Sequence, residues 1–139
     1  MTTDTSSAEA LASRLIDATR RHDLEAMLDC FTPGFVNETP THPARSFTGV
    51  DQVRKNWSQI FAAVPDLQAD VVRQVAEDDS VWIEWEMRGS RRDGSRHLMR
   101  GVTIFRVFQD QFGSVRFYLE PVEEGGAGID QALRAHLGQ

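Results

Sequence analysis

Three side chains that can move protons near neutral pH lie beside prolines, where regular structure must stop. Glu38 and His42 flank Thr39-Pro40-Thr41, and Glu120 directly precedes Pro121. A carboxylate or imidazole at such a position can serve as a general base, since histidine titrates near neutrality and burial raises the pKa of an acid. We take these three residues as the catalytic candidates. The alternative is that they are solvated loop residues, and Glu38 can turn inward only if its strand carries a bulge.

Other reactive chemistry finds little support in the sequence. No pair of histidine, cysteine or carboxylate residues has the spacing of a metal site, so we expect no metal and no cofactor. Cys30 is the single cysteine, which excludes an intrachain disulfide, and no histidine near it in sequence would activate its thiol. The Gly125-Gly126-Ala127-Gly128 segment lacks the strand-to-helix context of a phosphate-binding loop and is typical of a joint.

Apolar residues at helical spacing predict the elements that precede and follow the candidate strands. A first helix contains Leu15, a second begins at Asp23 and is ended by Thr32-Pro33-Gly34, and a third is capped by Thr48 and stopped by Pro65. A short amphipathic helix is expected at 129–137, after a flexible joint at 121–128, and residues 1–6 are expected to be disordered. We expect the last helix to cover the mouth of the domain or a partner subunit.

Strand signals occupy most of the remaining chain. A short strand at 35–39 separates the second and third helices, and an antiparallel meander follows Pro65, with Asp93-Gly94 as a strong hairpin signal. The predicted meander strands are 67–76, 80–88, 97–108 and 112–119. Helices followed by a long meander predict one α+β domain that spans residues 1–139.

This order of elements resembles the SnoaL-like and ketosteroid-isomerase-like proteins of the nuclear-transport-factor-two-like superfamily. The resemblance is carried by residues 22–27 (HDLEAM), 47–53 (FTGVDQV), 64–67 (VPDL) and 100–107 (RGVTIFRV). It implies a cone-shaped barrel, in which a strongly curved and mostly antiparallel sheet wraps around N-terminal helices. It also implies a small hydrophobic ligand, such as a polyketide, steroid or terpenoid, and a homodimer formed through the outer sheet face.

The same resemblance argues against ketosteroid isomerase activity. It puts Leu15 where those enzymes have an oxyanion-donating tyrosine, Thr39 at the position of the general base, and Thr103 at that of the second acid. None of the three supplies a base or donor of tuned pKa, so whether the protein is an enzyme stays open. The paired acids of limonene-epoxide-hydrolase-like members also find no match, because Glu84 and Glu86 lie on the face opposite to the apolar residues of their strand.

Alternation along the strands assigns the residues that line the pocket. Ile83, Trp85 and Met87 share the apolar face of their strand, which should therefore face the pocket. Thr103 and Phe105 share a face of the next strand, and the resemblance places that face inside. The alternative is that these side chains merely fill the core. The predicted ligand-binding residues are Leu15, Asn37, Thr39, Trp57, Phe61, Ile83, Trp85, Met87, Thr103, Phe105 and Phe117.

The composition limits the classes of partner. The formal net charge of −6 argues against nucleic-acid binding, and no apolar run is long enough for a membrane span, so we expect a cytoplasmic protein. The leading hypothesis is a SnoaL-like protein that binds a small hydrophobic metabolite and cyclises or isomerises it without a cofactor. The alternatives are a non-catalytic binder or carrier, an epoxide-hydrolase-like enzyme, and a structural dimer module with a filled core.

Overall fold

The computed structural model describes residues 5–139. Its helices and strands follow one another as α1 (Thr5–Arg20), α2 (Leu24–Leu28), β1 (Phe31–Glu38), β2 (Phe47–Thr48), α3 (Val50–Ala63), β3 (Gln68–Glu77), β4 (Ser80–Ser90), β5 (Arg96–Phe108), β6 (Gln111–Pro121) and α4 (Ile129–His136). Disorder was predicted for residues 1–6. Residues 1–4 lie outside the described part of the chain, and Thr5 already belongs to α1. A 3₁₀ turn, Pro43–Arg45, precedes β2.

The strands form one mixed sheet in the order β2-β1-β6-β5-β4-β3. β1 runs parallel to β6, and every other neighbouring pair is antiparallel. Helix α1 packs against β3 and β4. The predicted α+β class, with a curved and mostly antiparallel sheet around N-terminal helices, is confirmed.

Bulges and tight turns give the sheet its curvature. The register shifts between Val71 and Arg73 and between Arg106 and Val107. Such an extra residue bends its strand and increases the local twist. Gln109 and Asp110 both adopt positive φ in the β5–β6 turn, which matches the twist of the strands that they join.

Two predicted boundaries are wrong. Strand β1 begins at Phe31 rather than at residue 35, because α2 already ends at Leu28 and the chain reaches the edge of β6 early. Pro33 is tolerated there, since the register is interrupted between Phe31 and Val36 and no ladder bond is needed. The residue that caps α3 is Gly49, with φ of 107°, and not Thr48. Thr48 belongs to β2 and pairs with Val36 of β1.

Some apolar side chains are left uncovered. Trp82 is 51% exposed on the outer sheet face, and Ile129, Leu133 and Leu137 are exposed along α4. Helix α4 therefore leaves the mouth of its own chain uncovered, and its expected role in covering a partner subunit stays a prediction, as does the homodimer. Among the residues that the structure describes, no helix is long and apolar enough to span a membrane.

Candidate ligand-binding cavity

A cavity of about 330 Å³ opens between the helices and the concave face of the sheet. Helix α1 contributes Leu15, helix α3 contributes Trp57, and strands β4 to β6 supply the largest share of the remaining wall. The full lining consists of Leu15, Thr19, Met27, Phe31, Phe35, Asn37, Thr39, Arg45, Phe47, Val53, Asn56, Trp57, Ile60, Trp85, Met87, Met99, Thr103, Phe105, Val115, Phe117, Leu119, Glu120 and Pro121.

Two of the predicted ligand-binding residues do not line this cavity. Phe61 lies one turn after Trp57 on α3, and its ring stacks on His22 with centroids 4.4 Å apart. Ile83 is fully buried in the core. Strand alternation alone does not separate core from cavity along one face. The predicted residues that do lie in the wall are Leu15, Asn37, Thr39, Trp57, Trp85, Met87, Thr103, Phe105 and Phe117.

Sequence reasoning missed two kinds of lining residue. Asn56 lies three residues after Val53 and four before Ile60, so helical spacing on α3 already placed it on the cavity face. Arg45 ends a 3₁₀ turn and Phe47 lies in the two-residue strand β2, and elements this short have no periodicity that predicts which way a side chain points. Only the folded chain brings that segment over the opening.

The polar groups inside the cavity are neutral and hydrogen-bonded. The Asn37 amide Nδ2 donates to Thr39 Oγ1 over 3.0 Å, and the Trp85 indole Nε1 donates to Thr103 Oγ1 over 2.8 Å. Thr19 Oγ1 donates to the Leu15 carbonyl over 2.7 Å. All three threonines are buried. The positions that the resemblance assigns to acids in ketosteroid isomerases therefore hold neutral hydroxyls with fixed partners.

Ionisable groups gather at the mouth. Glu120 lines the cavity, and its Oε2 lies 3.5 Å from His42 Nε2 and 3.7 Å from Arg45 Nη1. The Thr41 hydroxyl donates to Glu120 Oε1 over 3.4 Å. The loop places His42 because its backbone N–H donates to the Thr39 carbonyl. Of the three catalytic candidates, Glu120 thus lines the cavity, and His42 contacts it from outside the lining.

The third candidate, Glu38, points away from the cavity. Its side chain is 56% exposed, and Oε2 lies 2.9 Å from Arg116 Nη1 on the outer face. The bulge that would turn it inward comes too early, because the register of β1 is regular from Val36 onward. Alternation then puts Asn37 and Thr39 inside and Glu38 outside.

Two further titratable residues take no part in the cavity. Burial raises the pKa of the Cys30 thiol, which suits a packed side chain rather than a nucleophile. Burial and the nearby Arg91 lower the pKa of His97, which pairs with Gly89 at the start of β5. Within the described part of the chain, no group of three histidine, cysteine or carboxylate residues is arranged to hold a metal ion.

Solved structures with the same architecture share low sequence identity with this chain. AclR of Streptomyces galilaeus, a candidate hydroxylase, has a TM-score of 0.74 and 20% identity over 97% of this chain and 87% of its own. A candidate ketosteroid isomerase of Kribbella flavida has a TM-score of 0.70 and 21% identity over 97% and 90% of the two chains. A candidate SnoaL-like polyketide cyclase of Jannaschia sp. has a TM-score of 0.71 and 19% identity over 83% of this chain and 86% of its own.

These likenesses establish the cone-shaped fold that the resemblance implied, and at such identities they show no more than the fold. Comparison with curated proteins gives no match. A family model described as the SnoaL-like domain matches residues 12–114, which is most of the chain and includes α3 and β1 to β5. The chain therefore belongs to the SnoaL-like family.

Proposed function

We propose that this protein binds a small hydrophobic metabolite that contains a ring system, of polyketide, steroid or terpenoid type. The observation that carries this proposal is the open cavity of about 330 Å³ with its largely apolar and aromatic wall. Trp57, Phe105 and Phe117 are part of this wall, and aromatic rings favour flat or cyclic ligands over chains. An apolar concave site with a few placed polar groups is the usual form of a small-molecule site.

The cavity volume narrows the range of ligands. At the packing density of protein interiors, such a cavity holds roughly 12 to 18 non-hydrogen atoms below its mouth. Two or three fused rings meet this limit. A larger metabolite is accommodated only if part of it projects past Arg45 and Glu120 into solvent.

Ligand entry is measurable through the two tryptophans in the wall. Trp82→Phe removes the emission of the exposed outer tryptophan, so that the signal comes from Trp57 and Trp85. We expect this variant to show saturable quenching by 9-fluorenone and by anthracene. If both compounds leave the emission unchanged up to their solubility limits, the proposed function is wrong.

A bulky side chain at position 56 is expected to weaken this binding. Asn56→Phe, introduced into the reporter variant, puts a bulky ring on the cavity side of α3, and we expect the affinity for fluorenone to fall at least about tenfold. Gln52→Phe is the matched control, one turn earlier on the same helix and outside the lining, and should change the affinity less than about twofold. Equal losses of fluorenone affinity in the two variants would show that the probe binds outside this cavity.

The His42–Glu120 contact favours a second candidate function, cofactor-free acid–base catalysis such as cyclisation or isomerisation. A carboxylate beside an imidazole holds the ring in one orientation, and a histidine positioned in this way can serve as a general base. Because the pair lies at the opening, the reacting atoms would belong to the part of the ligand nearest the mouth.

Native mass spectrometry of the protein from its own host would identify a co-purified ligand and supply the substrate to assay. We expect His42→Gln and Glu120→Gln each to lower turnover about a hundredfold while anthracene affinity changes less than twofold. Glu38→Gln, which alters an outward carboxylate, should retain full turnover. If wild-type protein returns the ligand unchanged, it is a binder or carrier rather than an enzyme.

A further inference from the structure

Three of the four methionines of the chain lie in the wall of the cavity. Met27 comes from α2, Met87 from β4 and Met99 from β5. Methionine is an apolar side chain that adapts to irregular gaps, but an oxidant converts its thioether into a polar sulfoxide. A wall built with methionines can therefore change from apolar to polar without any change in sequence.

The register of the sheet places Met99 at the rim of this wall. Met99 is the first residue of β5 to line the cavity, and it pairs with the exposed Pro121 at the mouth on one side and with Met87 on the other. Met87 is 4% exposed and Met27 is 2% exposed, whereas Met99 is only partly buried. A solute that enters from water thus meets the Met99 thioether before the other two.

The other sulfur groups in the described part of the chain are shielded from a dissolved oxidant. Met27 and Met87 lie behind the rim, within the buried core. Cys30 is buried as well, and this burial raises the pKa of its thiol, so that little of the reactive thiolate forms at neutral pH. Met99 therefore has no strong competitor among these residues.

We propose that Met99 is an oxidant-sensitive site, at which hydrogen peroxide forms a sulfoxide that weakens the binding of apolar metabolites. This inference rests on the proposed function and adds a means of regulating the same cavity. The sulfur lone pair attacks one peroxide oxygen, an S–O bond forms and the O–O bond breaks. Sulfur loses two electrons, and the transferred oxygen gives its proton to the departing hydroxide, which leaves as water.

The sulfoxide weakens binding because its oxygen is a strong acceptor on an otherwise apolar rim. A hydrophobic ligand that covers this oxygen removes its water and supplies no donor in return, which costs free energy. The same contact works in the other direction, since a bound ligand covers the thioether and keeps peroxide away from it. A sulfoxide at the rim is also accessible to methionine sulfoxide reductases, so the change is reversible.

Oxidation rates in the wild-type protein provide the first test. Trypsin separates the three methionines into peptides 22–45, 74–88 and 97–100, so mass spectrometry follows each one during treatment with hydrogen peroxide. We expect Met99 to be oxidised at least about fivefold faster than Met27 or Met87, because access to the thioether limits the rate. Saturating 9-fluorenone should slow the oxidation of Met99 at least about threefold.

The effect on binding is measured by tryptophan quenching in the Trp82→Phe protein after the peroxide has been removed. Oxidation of Met99 should lower the affinity for fluorenone at least about fivefold, and treatment with methionine sulfoxide reductases should restore it. Met99→Leu should abolish this loss. Met87→Leu, the same change on the paired strand, should retain it. Each protein is compared with its own untreated sample, so an effect of the substitution itself does not enter.

The outcomes separate this inference from the proposed function. Equal oxidation rates for the three methionines, or an unchanged fluorenone affinity of the oxidised protein, overturns the role of Met99 and leaves the proposed function standing. Failure of untreated protein to bind fluorenone or anthracene overturns both. The wild-type rates need no substitution at any methionine, so a variant that fails to fold does not block the test.

Discussion

Gly101→Ala is expected to lower the free energy of unfolding by about 3 kcal/mol or more. Gly101 has φ of 150°, and a Cβ built at this position would lie 2.0 Å from the Tyr118 carbonyl oxygen and 2.8 Å from the Leu119 Cα. Both neighbours are backbone atoms of β6, so no side chain can move aside to relieve the clash. The strand itself must shift or the local pairing must break.

The consequence reaches the cavity because β6 carries part of its wall. Gly101 pairs with Leu119, which lies between Phe117 and Glu120. A displaced β6 would move both the aromatic platform and the carboxylate at the mouth. We therefore expect weaker fluorenone binding even under conditions in which the variant is still folded.

Urea titration followed by circular dichroism measures the effect on stability. Gly34→Ala is the matched control, since a Cβ at Gly34 meets nothing within 4 Å and its φ is not positive. We expect the control to change the free energy of unfolding by less than about 0.5 kcal/mol. Comparable losses in the two variants would show that the close approach of β5 and β6 at Gly101 is not what stabilises this part of the sheet.

Phe112→Ala is expected to remove about 4 kcal/mol of stability. Phe112 is fully buried, and its ring stacks on Phe105 with centroids 4.5 Å apart and lies 6.3 Å from Phe31. Deleting the ring removes apolar contact and leaves a void that the surrounding strands fill only in part. Phe31 and Phe105 line the cavity, so removal of the Phe112 ring would also take away packing that supports the cavity wall.

Phe108→Ala is the control for this second variant. Phe108 precedes the turn of the same β5–β6 hairpin, but its side chain is 61% exposed. The same chemical change should therefore cost less than about 0.5 kcal/mol. Thermal unfolding should show a melting temperature roughly 10 °C lower or more for Phe112→Ala and nearly unchanged for Phe108→Ala. Similar melting temperatures for the two variants would contradict the burial argument.

Strand alternation predicted much of the cavity wall in advance. Period two placed Trp85, Met87 and Phe117 inward, and the same pattern combined with the family resemblance placed Thr103 and Phe105. Such reasoning works because a strand with one face buried cannot slip by a residue without exposing its apolar side chains. It fails for Ile83, which shares the inward face but lies in the solid part of the core.

The catalytic candidates show where local reasoning ends. Glu38, His42 and Glu120 were chosen for their residue type and for their position beside prolines. The structure turns Glu38 outward to Arg116 and brings His42 to Glu120, a residue 78 positions away in the chain. No periodicity relates a loop after β1 to the end of β6. Their contact arises only because these two strands pair in parallel.

The sequence by itself determined the α+β class, the helical faces and the inward set of strand residues, because these depend on periodicities and turn residues that act over a few positions. Only the tertiary structure decided which buried residues border the cavity and which ionisable groups meet at its mouth. Those properties depend on the parallel pairing of β1 with β6 and on the bulges that curve the sheet. A cavity is the space that packed elements leave between them, and it is therefore a property of the assembled fold rather than of any one segment.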